Sequence, residues 1–165
     1  MNYISKRINE GTSLSSALIE AMNPPRYYTE PDPRLDLGGV DFARKLTIIA
    51  RLCGKELERG DINVEDIVPP ELKEVSIRVF LEKLPYLDEI ITKRMESARI
   101  GNNALWYMGY ADLENDVYNV MFKETPVEDL IANSGESDNI LKIYPRNWRR
   151  PVTIIGPGAG VPEAV

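Results

Sequence analysis

Between Tyr28 and Lys45 the chain reads YTEPDPRLDLGGVDFARK, and the four carboxylates Glu30, Asp32, Asp36 and Asp41 stand ahead of the amine of Lys45. Acids and an amine held together can bind a substrate ammonium and move a proton at a nearby oxygen. Asp41 and Lys45 are four positions apart, so on a helix they emerge on one face, one turn apart. The plain alternative for that spacing is a solvated ion pair worth about 0.2–0.5 kcal/mol. Context favours more: the segment before the helix is stiffened by proline and can fold back, bringing Glu30, Asp32 and Asp36 beside the pair. The same oxygens suggest a divalent cation, but Asp-x-Asp-x-Asp-Gly spacing is absent and Arg34 and Lys45 oppose a cation, so no metal is expected.

The elements that must position these groups can be read in order. Asn2 to Asn9 has helical character, and Gly11 ends it. Thr12 or Ser13 caps a second helix reaching Met22, with Leu14, Ala17, Leu18 and Ala21 at helical spacing. Pro24, Pro25, Pro31 and Pro33 make 23–37 irregular. From Val40 to Cys53 an apolar stripe of Val40, Ala43, Leu46, Ile49 or Ala50 and Cys53 predicts a helix closed by Gly54. On that stripe Cys53 is expected to be a buried structural thiol.

A short strand is expected within 62–68, then helices over 70–84 and 86–100 interrupted at Pro85. After Gly101, strand-forming runs begin at Ala104, Val117, Asn139 and Val152. Helices followed by strands predict an α+β fold, with the N-terminal helices on one face of a mixed, largely antiparallel sheet formed mainly by the C-terminal half. The 165 residues, 43% hydrophobic and 28% charged, suit one domain spanning 1–165.

Composition removes several chemistries. With no histidine, a structural zinc site and a Ser/His/Asp triad are not expected. A net charge of −6 argues against a nucleic-acid partner, so Trp106, Tyr107, Tyr110, Tyr118 and Phe122 are read as sheet packing rather than a base-stacking platform. The single cysteine suits a reducing cytoplasm, and no apolar run approaches the roughly 18 residues of a membrane span. The basic cluster from Arg146 to Arg150 is read as a solvated loop.

The stretch from Tyr28 to Lys45 resembles the signature of homoserine dehydrogenases, Y-x-E-x-D-P-x-x-D-L-x-G-x-D-x-A-R-K, at Tyr28, Glu30, Asp32-Pro33, Asp36-Leu37, Gly39, Asp41 and Ala43-Arg44-Lys45. Asn2-Tyr3-Ile4, Ser137-Asp138-Asn139 and the turn from Gly156 to Gly160 resemble further segments of that family. Leu35 departs from it, standing where a second aspartate is common. The resemblance implies NAD(P)-dependent interconversion of L-homoserine and L-aspartate 4-semialdehyde, a step toward threonine and methionine. It implies Lys45 as the acid/base group with Asp41 beside it, Glu30 as the ligand of the substrate ammonium, Asp36 and Tyr28 completing the pocket, and Gly160 near the cofactor, NADP or NAD.

Chemistry supports these roles. Loss of a hydride from a carbinol carbon requires loss of the hydroxyl proton, which a positioned lysine amine can take when its pKa falls from about 10.4 toward the working pH. No Gly-x-Gly-x-x-Gly unit between a strand and a helix is present, so these residues resemble the substrate-binding and dimerisation region without the nucleotide-binding domain, and the chain is expected to fold without turning over. A homodimer joined through the sheet is implied by the resemblance and by strands with edges to cover. The rival reading is a non-catalytic amino-acid-binding or dimerisation module.

Overall fold

The computed structural model describes residues 1–158, so Gly160 lies outside the described residues. Helices α1 (Asn2–Asn9), α2 (Leu14–Met22), α3 (Arg34–Leu37) and α4 (Val40–Leu52) come first. Strand β1 (Asn63–Val64), helices α5 (Pro70–Lys73), α6 (Ile77–Lys83) and α7 (Asp88–Ile100), and strands β2 (Asn103–Asp112), β3 (Val117–Pro126), β4 (Asp138–Ile143) and β5 (Val152–Pro157) follow. The fold is α+β, as the order of patterns predicts. The strands divide into a mixed sheet of order β1-β3-β2, with β1 parallel and β2 antiparallel to β3, and an antiparallel β4–β5 ribbon.

Local chemistry sets most element boundaries. Ser13 caps α2, its hydroxyl accepting the Ser16 N–H at 3.2 Å. Gly39, at φ +64°, opens α4, and Gly54, at φ +85°, follows its end. The expected helix over 70–84 is instead two helices. Ser76 caps α6 by accepting the Val79 N–H, and the carbonyls of Leu72, Lys73 and Val75 turn out of helical register to meet Arg34. The proline arm is less irregular than expected, since Pro33 leads directly into the turn of α3. Cys53 is exposed, which overturns its expected burial: α4 ends at Leu52, itself 83% exposed, and the buried stripe stops at Ala50.

The core lies where α4 and α7 meet the sheet, with Leu105, Tyr107, Val120 and Phe122 buried against Ala43, Leu46 and Met95. Trp106, Tyr107, Tyr118 and Phe122 are buried as packing residues, and Tyr110 is 41% exposed. Helix α1 does more than cover. Asn9 donates to the Leu105 carbonyl at 2.8 Å and accepts the Leu105 N–H at 2.9 Å, while Ser5 accepts the Tyr107 N–H at 3.2 Å. Side chains of a helix thus satisfy backbone groups on the outer edge of β2 that would otherwise be open to another strand.

Candidate active site

Helix α4 carries the pair singled out by its spacing. Lys45 Nζ lies 2.8 Å from Asp41 Oδ2 in the first turns of the helix, and both side chains are more than half exposed. Their placement depends on Gly39. A Cβ there would stand 2.3 Å from the Tyr107 hydroxyl and 2.9 Å from Val64 Cγ1, so the start of α4 approaches the sheet closer than any side chain allows. Tyr107 is in turn fixed by donating to the Glu65 carbonyl at 2.8 Å and by the edge of Phe42, 5.5 Å away between centroids. Burial pushes the Tyr107 hydroxyl pKa well up, with Glu65 and Asp66 adding to the effect, so it remains a neutral donor.

The arm supplies the second half. Asp36, on α3, accepts the Glu30 N–H at 2.9 Å. Burial pushes the Asp36 carboxyl up; the Glu30 N–H and the Met1 amino group oppose that, and the charges of Glu30 and Asp41 reinforce it. The Met1 amino group is pushed down by burial, and it feels Asp36, Lys45 and Asp41 in turn. Asp36 thus feels Glu30 of the arm and Asp41 of α4 at once, and the Met1 amino group feels Asp36, Asp41 and Lys45. Glu30 itself is exposed.

Tyr28 and Asp32 are placed differently. Tyr28 packs its ring on Tyr3 of α1 at 5.5 Å and donates its N–H to the Ala21 carbonyl at 2.9 Å, which ties the arm to α2. Tyr3 is held from behind, its hydroxyl donating to Glu20 at 2.7 Å, with Arg26 over its ring at 4.9 Å. Asp32, expected beside the lysine, is instead engaged by Arg34, whose guanidinium holds its carboxyl below the usual range.

The outer motif segments converge as well. Asn2 donates to the Gly135 carbonyl at 2.6 Å and to the Asp138 carbonyl and the Ser134 hydroxyl, both at 3.3 Å. Gly158 donates its N–H to the Ser137 carbonyl at 2.8 Å, and a Cβ at Gly158 would lie 2.6 Å from that oxygen. The start of α1, the loop before β4 and the end of β5 therefore meet at one place, next in sequence to Met1. Sequence reasoning names the three segments but misses their contact, because nothing local to Asn2 indicates a partner more than a hundred residues away. Two surface concavities lie elsewhere, one of about 370 Å³ bordered by Leu72, Glu82 and Tyr86, the other of about 470 Å³ bordered by Arg51, Lys55 and Leu57.

Comparison with known proteins identifies the family. The homoserine dehydrogenase family profile matches residues 1–164. The chain is 38% identical over 162 residues to a carrot chloroplastic bifunctional aspartokinase/homoserine dehydrogenase, covering 97% of this chain and 17% of that protein. It is 37% identical over 135 residues to the yeast Saccharomyces cerevisiae homoserine dehydrogenase, covering 81% of this chain and 38% of the relative. Among solved structures, a Candida auris protein of unknown function superposes with a TM-score of 0.89 at 33% identity, covering 96% of this chain and 46% of that one. The Staphylococcus aureus homoserine dehydrogenase shares the fold, with a TM-score of 0.73 at 21% identity, covering 96% and 36% of the two chains. The chain thus spans less than half the length of these relatives. With a family match running from its first residue almost to its last, the chain belongs to the homoserine dehydrogenase family.

Proposed function

We propose that residues 1–165 form one domain, the substrate-binding and catalytic region of an enzyme that interconverts L-homoserine and L-aspartate 4-semialdehyde. The observation that carries this reading is the Lys45–Asp41 pair on α4, with Asp36 of a separate element near enough to feel the Asp41 charge and bonded to the Glu30 N–H. In the reductive direction the Lys45 ammonium donates its proton to the aldehyde oxygen. In the oxidative direction its amine receives the hydroxyl proton. Asp41 orients the Lys45 side chain through their ion pair. The Glu30 carboxylate receives the substrate ammonium, with Asp36 holding the Glu30 backbone in place and Tyr28 closing the side toward α1.

The cofactor of this reaction is NADP or NAD. Among the described residues no strand runs through a glycine turn into a helix, and the parallel pairing of β1 and β3 covers two residue pairs, so these residues do not fit a dinucleotide and no hydride step is assigned to them. Gly160 is proposed to lie near that cofactor. The chain alone is accordingly proposed to fold without catalysis, within a cytoplasmic enzyme. Among the described residues no helix is long and apolar enough to cross a membrane.

A homodimer is proposed through the sheet. Support comes from apolar side chains left open on it and on the ribbon: Tyr110 at 41%, Met121 at 36%, Ile154 at 54% and Ile155 at 48% exposure. Because α1 already satisfies the β2 edge at Leu105 and Tyr107, the contact is expected through the open side chains and the ribbon rather than by extending that edge.

The test supplies NADP and homoserine to the 165-residue chain, alone and with a nucleotide-binding domain joined to it, and follows the reduced-nicotinamide absorbance. Turnover only in the joined protein supports the reading. Steady turnover by the chain alone refutes its second half, and silence in both refutes the first.

A further inference from the structure

Resting on that reading of the arm, we infer that Arg34 is a positioning residue: its guanidinium, forked between Asp32 and the carbonyls at the end of α5 and just beyond it, sets where Glu30 and Asp36 stand relative to Asp41 and Lys45. The geometry is specific. Arg34 Nε donates to Asp32 Oδ1 at 2.9 Å and Nη2 donates to Asp32 Oδ2 at 2.7 Å. On the other side Nη1 donates to the carbonyls of Leu72 at 3.2 Å, Lys73 at 2.8 Å and Val75 at 2.7 Å. The guanidinium also lies 5.7 Å from the centroid of Phe80, a fully buried ring.

One side chain therefore binds the arm to a segment about forty residues away in sequence. Its donors are turned inward and only 17% of the side chain is exposed, which is the disposition of an anchor rather than of a group awaiting a ligand. The path from anchor to site is short. Arg34 is the first residue of α3, Asp36 the third, and Asp36 accepts the Glu30 N–H. Tyr28 fastens the arm to α2 on one side, and the Leu37 carbonyl accepts the Ile67 N–H at 3.3 Å on the other. Between those tethers, Arg34 reaches across the fold. A lysine keeps the charge but offers a single point of attachment and cannot serve a carboxylate and several carbonyls in one plane.

The Glu30 amide proton, bonded to the Asp36 carboxylate, reports the position directly by nuclear magnetic resonance on the labelled 165-residue chain. In the parent it is expected to shift as Asp36 ionises, at a pH that burial moves above the ordinary carboxylate value. In Arg34→Lys the amplitude of that shift is expected to fall by about half or more, with the Phe122 amide, bonded to the partly exposed Glu65 carboxylate, behaving as in the parent. A parent-like Glu30 titration in the variant overturns the inference. If the lysine variant does not fold, Asp32→Asn replaces it, with the same loss expected and the same result overturning it.

Calorimetry with homoserine completes the test. Its Kd is expected to rise about tenfold in the variant, and an unchanged Kd beside a collapsed titration overturns the inference as well. A parent chain that takes up no homoserine counts against the proposed substrate role of Glu30, while the amide titration still decides the part played by Arg34.

Discussion

Gly39 and Tyr107 approach so closely that a Cβ on the glycine would stand 2.3 Å from the tyrosine hydroxyl, and this contact seats the start of the helix that bears Asp41 and Lys45. Gly39→Ala combines a left-handed backbone with an overfilled contact, and is expected to destabilise the chain by about 2–4 kcal/mol in denaturant titration. Adding Tyr107→Phe removes the obstructing oxygen and is expected to restore part of that loss but not all, since the backbone strain at φ +64° remains. A Gly39→Ala chain as stable as the parent would show that α4 seats itself by other means.

Lys45→Ala separates stability from chemistry. The pair with Asp41 is more than half exposed, and such pairs contribute about 0–1 kcal/mol. Stability is expected to change by no more than about 0.5 kcal/mol. Turnover, measured with a nucleotide-binding domain joined, is expected to fall by about 10²–10⁴. A variant that keeps its rate removes Lys45 from the proposed proton transfer.

Asp36 and Asp129 are expected to act on stability with opposite signs. The folded pKa of Asp36 is raised by burial, so its contribution is fully present below the unfolded pKa and is lost as pH rises through the folded value. Asp36→Asn should therefore stabilise the chain at neutral pH while weakening homoserine binding, a trade commonly found at functional sites.

Asp129 is partly buried, but the Ile131 N–H at 3.0 Å and the Lys142 ammonium outweigh that burial and hold its pKa low. Its contribution is present above the unfolded pKa and is lost as pH falls through the folded value, below the ordinary 3.8. Melting temperatures measured from acid to neutral pH should show Asp129→Asn losing part of the acid-side slope that the parent retains. Parallel curves would remove Asp129 from the pH response.

The open side chains of the sheet and ribbon predict the oligomeric state. Light scattering should give a dimer for the parent and a monomer for Met121→Lys combined with Ile154→Lys, with circular dichroism unchanged because both side chains are exposed. A monomeric parent at micromolar concentration would count against the proposed dimer.

Much of this was legible in order along the chain. Ser13 as a cap, the turn at Gly54, and the rise of Asp41 and Lys45 on one face of α4 follow from hydrogen bonds and periodicities that span a few residues. The α+β order and the family signature are likewise properties of local sequence. Tertiary structure decided what each charged group does. Asp32 and Asp36 have the same side chain four positions apart, yet one is neutralised by Arg34 while the other is desolvated beside Glu30. The break between α5 and α6, the exposure of Cys53, and the meeting of Asn2 with the loop before β4 were also set at that level. The physical reason is range: caps and helical faces are determined within a turn or two, whereas desolvation and ion pairing depend on neighbours brought near only when the whole chain packs.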